Sequence, residues 1–124
     1  MFKVLLIGVG SLIGGLARYG VSELVYRLFG SGFPFGTLTV NVVGCALIGF
    51  AATLAEQRLL LSPEIRGMWF IGVFGAFTTF STFSYETLQL LQAGSILQAT
   101  ANVFLNVILC LLAVWLGSVL GRMV

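Results

Sequence analysis

Long uncharged runs dominate the chain and predict membrane-spanning helices. Six basic and four acidic side chains divide the sequence. The uncharged runs between them are 4–17, 28–55, 67–85 and 87–121. A spanning helix needs about 20 largely apolar residues, so the first run suffices only if its helix continues past Arg18. The pattern predicts an all-α integral membrane protein with four transmembrane helices in a single domain, residues 1–124.

Glycine, proline and capping residues set the expected helix boundaries. Ser62-Pro63-Glu64 is typical of a helix start, with a serine cap, a proline in the first turn and an acid at the positive end of the helix dipole. Two pairs of glycines four residues apart permit close helix approach: Gly10 with Gly14, and Gly117 with Gly121. The predicted helices run from about Phe2 to Arg27, Thr37 to Leu60, Ser62 to Gln92 and Ile96 to Arg122.

The third predicted helix contains an unusual polar stretch, Gly75-Ala76-Phe77-Thr78-Thr79-Phe80-Ser81-Thr82-Phe83-Ser84. It carries five hydroxyls and three phenyl rings at bilayer depth, with no ionisable group. Polar side chains there are costly unless they satisfy broken backbone or line a path. The stretch therefore predicts a break in the third helix and a permeation site.

Composition excludes most other classes of function. The chain is 59% hydrophobic and 8% charged, against about 25% charged residues in a soluble domain. Histidine and aspartate are absent, and the two cysteines, Cys45 and Cys110, stand alone within apolar runs. The chain therefore does not supply the residues that a disulfide framework, a zinc site or a catalytic triad needs. The cysteines are expected to be small packing residues. Enzymatic function is disfavoured.

Charge placement leaves the orientation in the membrane open. An even number of spans puts both termini on one side, with the basic residues Lys3, Arg58, Arg66 and Arg122. The other side holds Arg27, with Arg18 nearby. This bias is weak, so two interpretations stand: insertion both ways with pairing as an antiparallel dimer, or a modest preference for both termini inside. Four short helices can scarcely enclose a hydrated pore, so a transport role predicts a dimer.

Two further groups of polar residues lie at bilayer depth. Asn41 shares a helix face with Thr37. The fourth predicted helix carries a four-residue stripe of Asn102, Asn106, Cys110, Val114 and Ser118. Each group could either form contacts between helices or line a path with hydrogen-bond donors. Amides, hydroxyls and the positive edges of Phe80 and Phe83 could together meet an anion, whereas carbonyls freed at the break could hold a cation.

The chain resembles the Fluc (CrcB) fluoride channels over essentially its whole length. The segment from Thr78 to Ser84 is highly specific, and weaker matches are Gly14 to Tyr19 and Gly36 to Gly44. The resemblance implies an antiparallel, dual-topology homodimer of four-helix subunits in the plasma (inner) membrane. It also implies two pores that export fluoride passively from the cytoplasm.

The resemblance also assigns expected roles to individual residues. Fluoride would meet Phe80, Phe83, Asn41, Ser81, Thr82 and Asn106. Arg18 corresponds to the vestibule arginine and Glu86 to the acid at the end of the broken helix. The backbone carbonyls of Gly75 and Thr78 would hold a structural sodium ion at the dimer interface.

Three positions depart from the family pattern, and three other functions remain as alternatives. Ala76 replaces a usual glycine, Cys110 a common serine and Val114 a common threonine, so the polar stripe is thinner. A less selective anion channel is one alternative. A small drug/proton antiporter is another, although it needs a mid-membrane carboxylate and the first helix offers only Glu23. The third is a structural four-helix subunit without ion flux.

Overall fold

The computed structural model describes residues 1–58 and 61–124, and every regular element in this part of the chain is helical. The third helix, α3, is continuous but built from three segments, and its middle segment is wound as a π-helix. Helix α4 follows after a break. The helices are α1 (Phe2–Phe29), α2 (Phe35–Arg58), α3 (Pro63–Gly67, Met68–Phe74 and Gly75–Phe77), α4 (Phe80–Gln92) and α5 (Ile96–Met123).

The predicted boundaries are close to the observed ones. The serine cap is confirmed, because the Ser62 hydroxyl accepts a hydrogen bond from the Ile65 N–H at 3.4 Å and Pro63 opens α3. The pKa of Glu64 is lowered, first by a hydrogen bond from its own backbone N–H and then by the Ser62 side chain. The predicted end of the second helix at Leu60 lies outside the described residues.

Three of the described helices are long and apolar enough to cross a bilayer: Phe2–Phe29, Phe35–Gln57 and Ile96–Met123. At about 1.5 Å per residue, a helix of 28 residues exceeds the roughly 30 Å hydrocarbon core. The 13 residues of α4 do not reach this length alone, because the break divides the third predicted span into two shorter helices.

The protein is packed with small and polar residues inside and large apolar residues outside. Val40 and Asn102 are fully buried, and Ala99 and Ala113 are also in the core. By contrast, the Trp115 side chain is 61% exposed, and many leucines along the same helix are also exposed. A lipid environment explains this arrangement, because lipid tails accept large apolar side chains while small residues let helices approach closely.

Helices α2 and α5 run parallel and meet along a seam with a constant register. Two hydrogen-bonded pairs of this seam, Asn41 with Asn106 and Thr53 with Ser118, are each 65 positions apart. Between these pairs, a Cβ at Gly49 would overlap the Val114 carbonyl, and one at Gly117 would overlap the Ala46 carbonyl. We call this contact the α2–α5 seam. It confirms the close approach predicted for the second glycine pair.

Helices α1 and α3 form a similar parallel contact. A Cβ at Gly10 would overlap the Met68 carbonyl, and a Cβ at Gly14 would overlap the Val73 carbonyl. The first glycine pair therefore also permits close packing, as predicted. Met1 and Val124 both lie near the start of α3, beside Ser62 and Leu61 respectively, so the two termini lie at the same end of the molecule.

The seam predicts which glycines are needed for stability. Gly117→Ala should lower the unfolding free energy by about 1–3 kcal/mol, because overpacking forces the backbones apart. Gly8→Ala is the matched control, since nothing lies within 4 Å of a Cβ there and alanine favours the helix. Thermal unfolding of detergent-purified protein, followed by tryptophan fluorescence, compares the two variants. Equal midpoints would contradict the close approach.

Candidate functional site

The helix break predicted from the hydroxyl-rich stretch is confirmed at Thr78 and Thr79. Both residues have extended backbone, with φ and ψ of −84° and 159° at Thr78 and −151° and 117° at Thr79. The Thr79 hydroxyl caps α4 by accepting a hydrogen bond from the Thr82 N–H at 3.2 Å. Threonine favours this position because its side chain replaces a missing helical partner.

Asn41 fastens the broken backbone from the neighbouring helix. Its Oδ1 accepts the Thr79 N–H at 2.8 Å, and its Nδ2 donates to the Thr79 carbonyl at 3.1 Å. Nδ2 also donates to Asn106 Oδ1 at 3.0 Å. An asparagine amide has two N–H donors, so both are used within the protein. One side chain therefore satisfies both backbone groups of a residue that has left the helix.

A chain of amides continues from Asn106 into α4. Asn106 Nδ2 lies 3.0 Å from the Asn102 carbonyl and 3.0 Å from Asn102 Oδ1. Asn102 Nδ2 donates to the Thr87 hydroxyl at 2.9 Å, and Thr87 donates to the Phe83 carbonyl at 2.8 Å. Asn102 and Asn106, the first two residues of the predicted polar stripe, thus belong to a hydrogen-bond network that joins α2, α4 and α5.

The last two residues of the stripe, Val114 and Ser118, lie in the α2–α5 seam. Val114 faces Gly49, and the Ser118 and Thr53 hydroxyls are 2.9 Å apart. Of the two interpretations left open for the stripe, contact between helices accounts for these residues.

A cavity of about 360 Å³ lies beside the break and is open on one side. We call it the break cavity. Its walls include five residues that the sequence analysis selected: Asn41, Thr78, Phe80, Phe83 and Asn106. These residues come from α2, α4, α5 and the break itself, so the tertiary structure gathers groups that are far apart in sequence.

Phe80 and Phe83 contribute two very different rings to the break cavity. Their centroids are 5.3 Å apart and their planes form an angle of 55°. Phe83 is only 7% exposed, whereas Phe80 is 78% exposed. The Phe83 ring is held by packing within the chain, whereas the Phe80 ring lies at the open side.

Ser81 and Thr82 are not among the residues that line the break cavity, but they lie next to it. Both are exposed, and their hydroxyls lie 3.3 and 3.0 Å from the Thr79 hydroxyl. The three hydroxyls form a cluster on the first turn of α4. The positive end of a helix dipole favours negative charge in this region.

The end of α3 contains Gly75 and is contacted by Arg18 of α1. Arg18 Nη1 is 3.5 Å from the Thr78 carbonyl, where a cation complements the negative end of the helix dipole. Gly75 begins the last segment of α3 and is exposed. The α3 end therefore presents carbonyl oxygens, and one of them contacts the guanidinium group.

Glu86 lies within α4, away from the break cavity. Its Oε1 accepts hydrogen bonds from the Thr37 hydroxyl at 2.9 Å and the Tyr26 hydroxyl at 3.1 Å. Its Oε2 is buried and has no hydrogen-bond partner within residues 1–58 and 61–124. Tyr26 is not predictable from the sequence as a partner of Glu86, because no spacing pattern connects a residue of α1 with one 60 positions later.

The structure corrects the interpretation that the two cysteines stand alone. Cys45 and Cys110 occupy facing positions across the α2–α5 seam, 65 positions apart like Asn41 and Asn106. Both are free, half-buried thiols and both line the break cavity. Their positions differ by the same 65 residues as the other pairs of this seam, a register that the sequence did not predict.

Comparison with known proteins identifies the family. The family model for CrcB-like protein, Camphor Resistance (CrcB), matches residues 5–118. The fluoride-specific ion channel FluC of Shewanella amazonensis is 52% identical over 118 residues, which are 95% of this chain and 94% of that protein. That of Geotalea uraniireducens is 46% identical over 122 residues, 98% of each chain.

A third relative is longer than this chain. The fluoride-specific ion channel FluC of Methylococcus capsulatus is 50% identical over 116 residues, which are 94% of this chain. The chain spans about half of that protein, 51% of its length. The family model and the near-complete overlap with the other two relatives lead to one conclusion: this chain belongs to the CrcB family.

Proposed function

We propose that the chain is a subunit of a fluoride-selective channel that lets fluoride leave the cytoplasm passively across the plasma (inner) membrane. The observation that carries this proposal is the neutral, donor-rich break at Thr78 and Thr79 beside an open cavity. The names of the relatives, which are fluoride-specific ion channels, support it. No enzymatic step is required.

Fluoride is small and strongly hydrated, so a selective path must replace its water with other donors. The hydroxyls of Thr79, Ser81 and Thr82 are placed together at the positive end of α4. Phe80 and Phe83 add ring edges with positive density. Such a path is attractive to an anion without carrying a fixed charge that would hold it too firmly.

The amides of Asn41 and Asn106 line the same cavity but are engaged with each other and with the backbone. In our proposal, fluoride competes for one of these amide hydrogens as it passes, and the bond closes again behind it. Arg18 contacts the Thr78 carbonyl at the break, and its positive charge raises the local potential for anions. Glu86 would lie farther along the path, where its hydrogen bonds to Thr37 and Tyr26 hold it in place.

A second copy of the chain would complete the site. Phe80, Ser81 and Thr82 are exposed at bilayer depth, where uncovered hydroxyls are unfavourable. Helices α1 and α3 run parallel to each other, as do α2 and α5. This arrangement fits four crossings, with α3 and α4 together forming the third. The weak bias of basic residues fits an antiparallel homodimer with dual topology and two pores.

The end of α3 fits a structural sodium ion. Sodium is a hard cation and prefers oxygen ligands, and interrupted membrane helices offer them as freed carbonyls. Gly75 is exposed at the surface where a partner would dock. Among the described residues, the Thr78 carbonyl has only the long 3.5 Å contact with Arg18, so an oxygen lone pair remains for a metal. We propose that the Gly75 and Thr78 carbonyls hold the ion at the dimer interface, where it stabilises assembly.

The antiporter alternative loses its main candidate residue. Glu23 forms an exposed ion pair with Arg27 at 3.1 Å, one turn along α1. A proton-coupled exchanger needs a carboxylate that its substrate can reach at mid-membrane, and this pair does not supply one.

Replacing either cavity phenylalanine should slow fluoride flux. For Phe80→Ile and Phe83→Ile we expect about a five- to tenfold loss, because a ring-edge interaction is worth roughly 1 kcal/mol in the barrier. Phe2→Ile, at an exposed ring far from the cavity, is the matched control. Fluoride efflux from proteoliposomes is measured beside chloride efflux under a potassium shunt. Unchanged fluoride flux in both cavity variants, with intact dimers, would remove their pore role.

Removing the Asn41 amide should affect both stability and flux. Asn41→Ala removes the acceptor of the buried Thr79 N–H and one of the donors to the Thr79 carbonyl, at a cost of about 1–3 kcal/mol for the N–H left unsatisfied. Thermal unfolding and fluoride efflux measure the two effects. Thr100→Ala is the control, because its exposed hydroxyl bonds only within its own helix turn. Wild-type stability of Asn41→Ala would show that the break does not depend on this side chain.

Sodium removal should weaken assembly. At a sodium concentration of about 100 times its dissociation constant, the ion adds roughly 2.7 kcal/mol to stability. Prolonged exchange into a large organic cation should therefore shift purified protein from dimer to monomer, and sodium should restore the dimer. Light scattering after size-exclusion chromatography measures this. A dimer with full flux after exhaustive sodium removal would refute a structural ion.

A further inference from the structure

The two cysteines occupy corresponding places on two parallel helices. The α2–α5 seam keeps one register from Asn41 with Asn106 to Thr53 with Ser118. Cys45 and Cys110 lie one helical turn after the asparagine pair on their respective helices. Because the backbones are held at close range by the glycines of the seam, this register places the two thiols opposite each other, and both line one cavity.

The thiol pair borders space that a ligand could enter. Both cysteines line the break cavity, which is open on one side and holds about 360 Å³. Both side chains are only half-buried. An ion between the two sulfurs would lie beside Phe80, Phe83 and Asn106, which line the same cavity.

The chemistry of the pair selects the class of ligand. Thiolates bind soft metals, and a structural zinc site needs four protein ligands. In residues 1–58 and 61–124, no group of three or more histidine, cysteine or acidic side chains is placed to hold a metal. Two sulfurs alone suit a soft cation that accepts two ligands in a line. A divalent ion and two thiolates have no net charge, which avoids the cost of a buried charge at bilayer depth.

We propose that Cys45 and Cys110 form a binding site for a soft, two-coordinate divalent cation, and that its occupation obstructs the break cavity. On binding, each S–H bond breaks, two metal–sulfur bonds form and two protons pass to water. No electrons are transferred, so neither an oxidant nor a reductant is needed. The binding site depends only on the thiols; its effect on ion flux rests on the proposed channel function.

Binding can be tested with mercuric ion on reduced, detergent-purified protein. The chain has only two cysteines, so thiol titration has no background from other sites. One equivalent per chain should abolish both free thiols, and the intact mass should rise by one mercury less two protons. Cys45→Ser and Cys110→Ser should each retain mercury at least about 100-fold less tightly against a competing small thiol, because two linked ligands exceed one by avidity.

Three results would overturn the binding site. The first is equal mercury affinity in wild type and both serine variants, which would show that the thiols do not act together. The second is a stoichiometry of two mercury ions per chain, one on each sulfur. The third is loss of both thiols with a mass decrease of two hydrogen atoms and no added mercury, which would show oxidation to a disulfide instead. Size-exclusion profiles confirm that the serine variants are folded.

Flux measurements test the consequence for the cavity. Mercuric ion should block fluoride efflux from wild-type proteoliposomes, a small dithiol should restore it, and Cys45→Ser/Cys110→Ser should keep its own flux when mercury is added. Stoichiometric binding without block would refute the obstruction. Stoichiometric binding in a protein that never conducts fluoride would leave the metal site standing and refute the proposed channel, so the two failures are distinguishable.

Discussion

The paired hydrogen bonds between Asn41 and the backbone of Thr79 are the interaction on which the rest of the site depends. A helix cannot be opened inside a bilayer unless its freed N–H and carbonyl groups find partners. One amide supplies both, at 2.8 and 3.1 Å. Because the break is held in this way, α3 ends with free carbonyls and α4 begins with a cluster of hydroxyls. Opposite polarities are thereby placed within a few residues of each other.

Glycine packing gives this interaction its precision. Gly49 and Gly117 bring α2 and α5 so close that the register between them has little freedom. The fixed register then places Asn41 against Asn106 and continues the amide chain to α4. Stability and function are joined here, since the residues that let the helices approach also decide which polar groups meet. Large side chains are left to the lipid, where their size has no steric cost.

The open side of the break cavity is the place where the proposed second copy of the chain would dock. Phe80 is exposed while Phe83 is buried, so one ring is positioned by its own subunit and the other would be covered by whatever docks there. The same opening gives access to Cys45 and Cys110. The proposed path for a hard anion would therefore share one cavity with a pair of soft thiols, and a soft cation would bind to the thiols rather than to the groups proposed for the anion.

The sequence by itself determined the membrane class, the helix boundaries and the break, because uncharged length, capping and hydroxyl density are local properties. It also selected Asn41 and Asn106 as polar residues that need partners. Only the tertiary structure decided which partners they have, and it alone paired Cys45 with Cys110. The physical reason is that contacts between helices depend on register and on backbone distance. Both are set by packing over the whole α2–α5 seam, and no spacing within one helix records them.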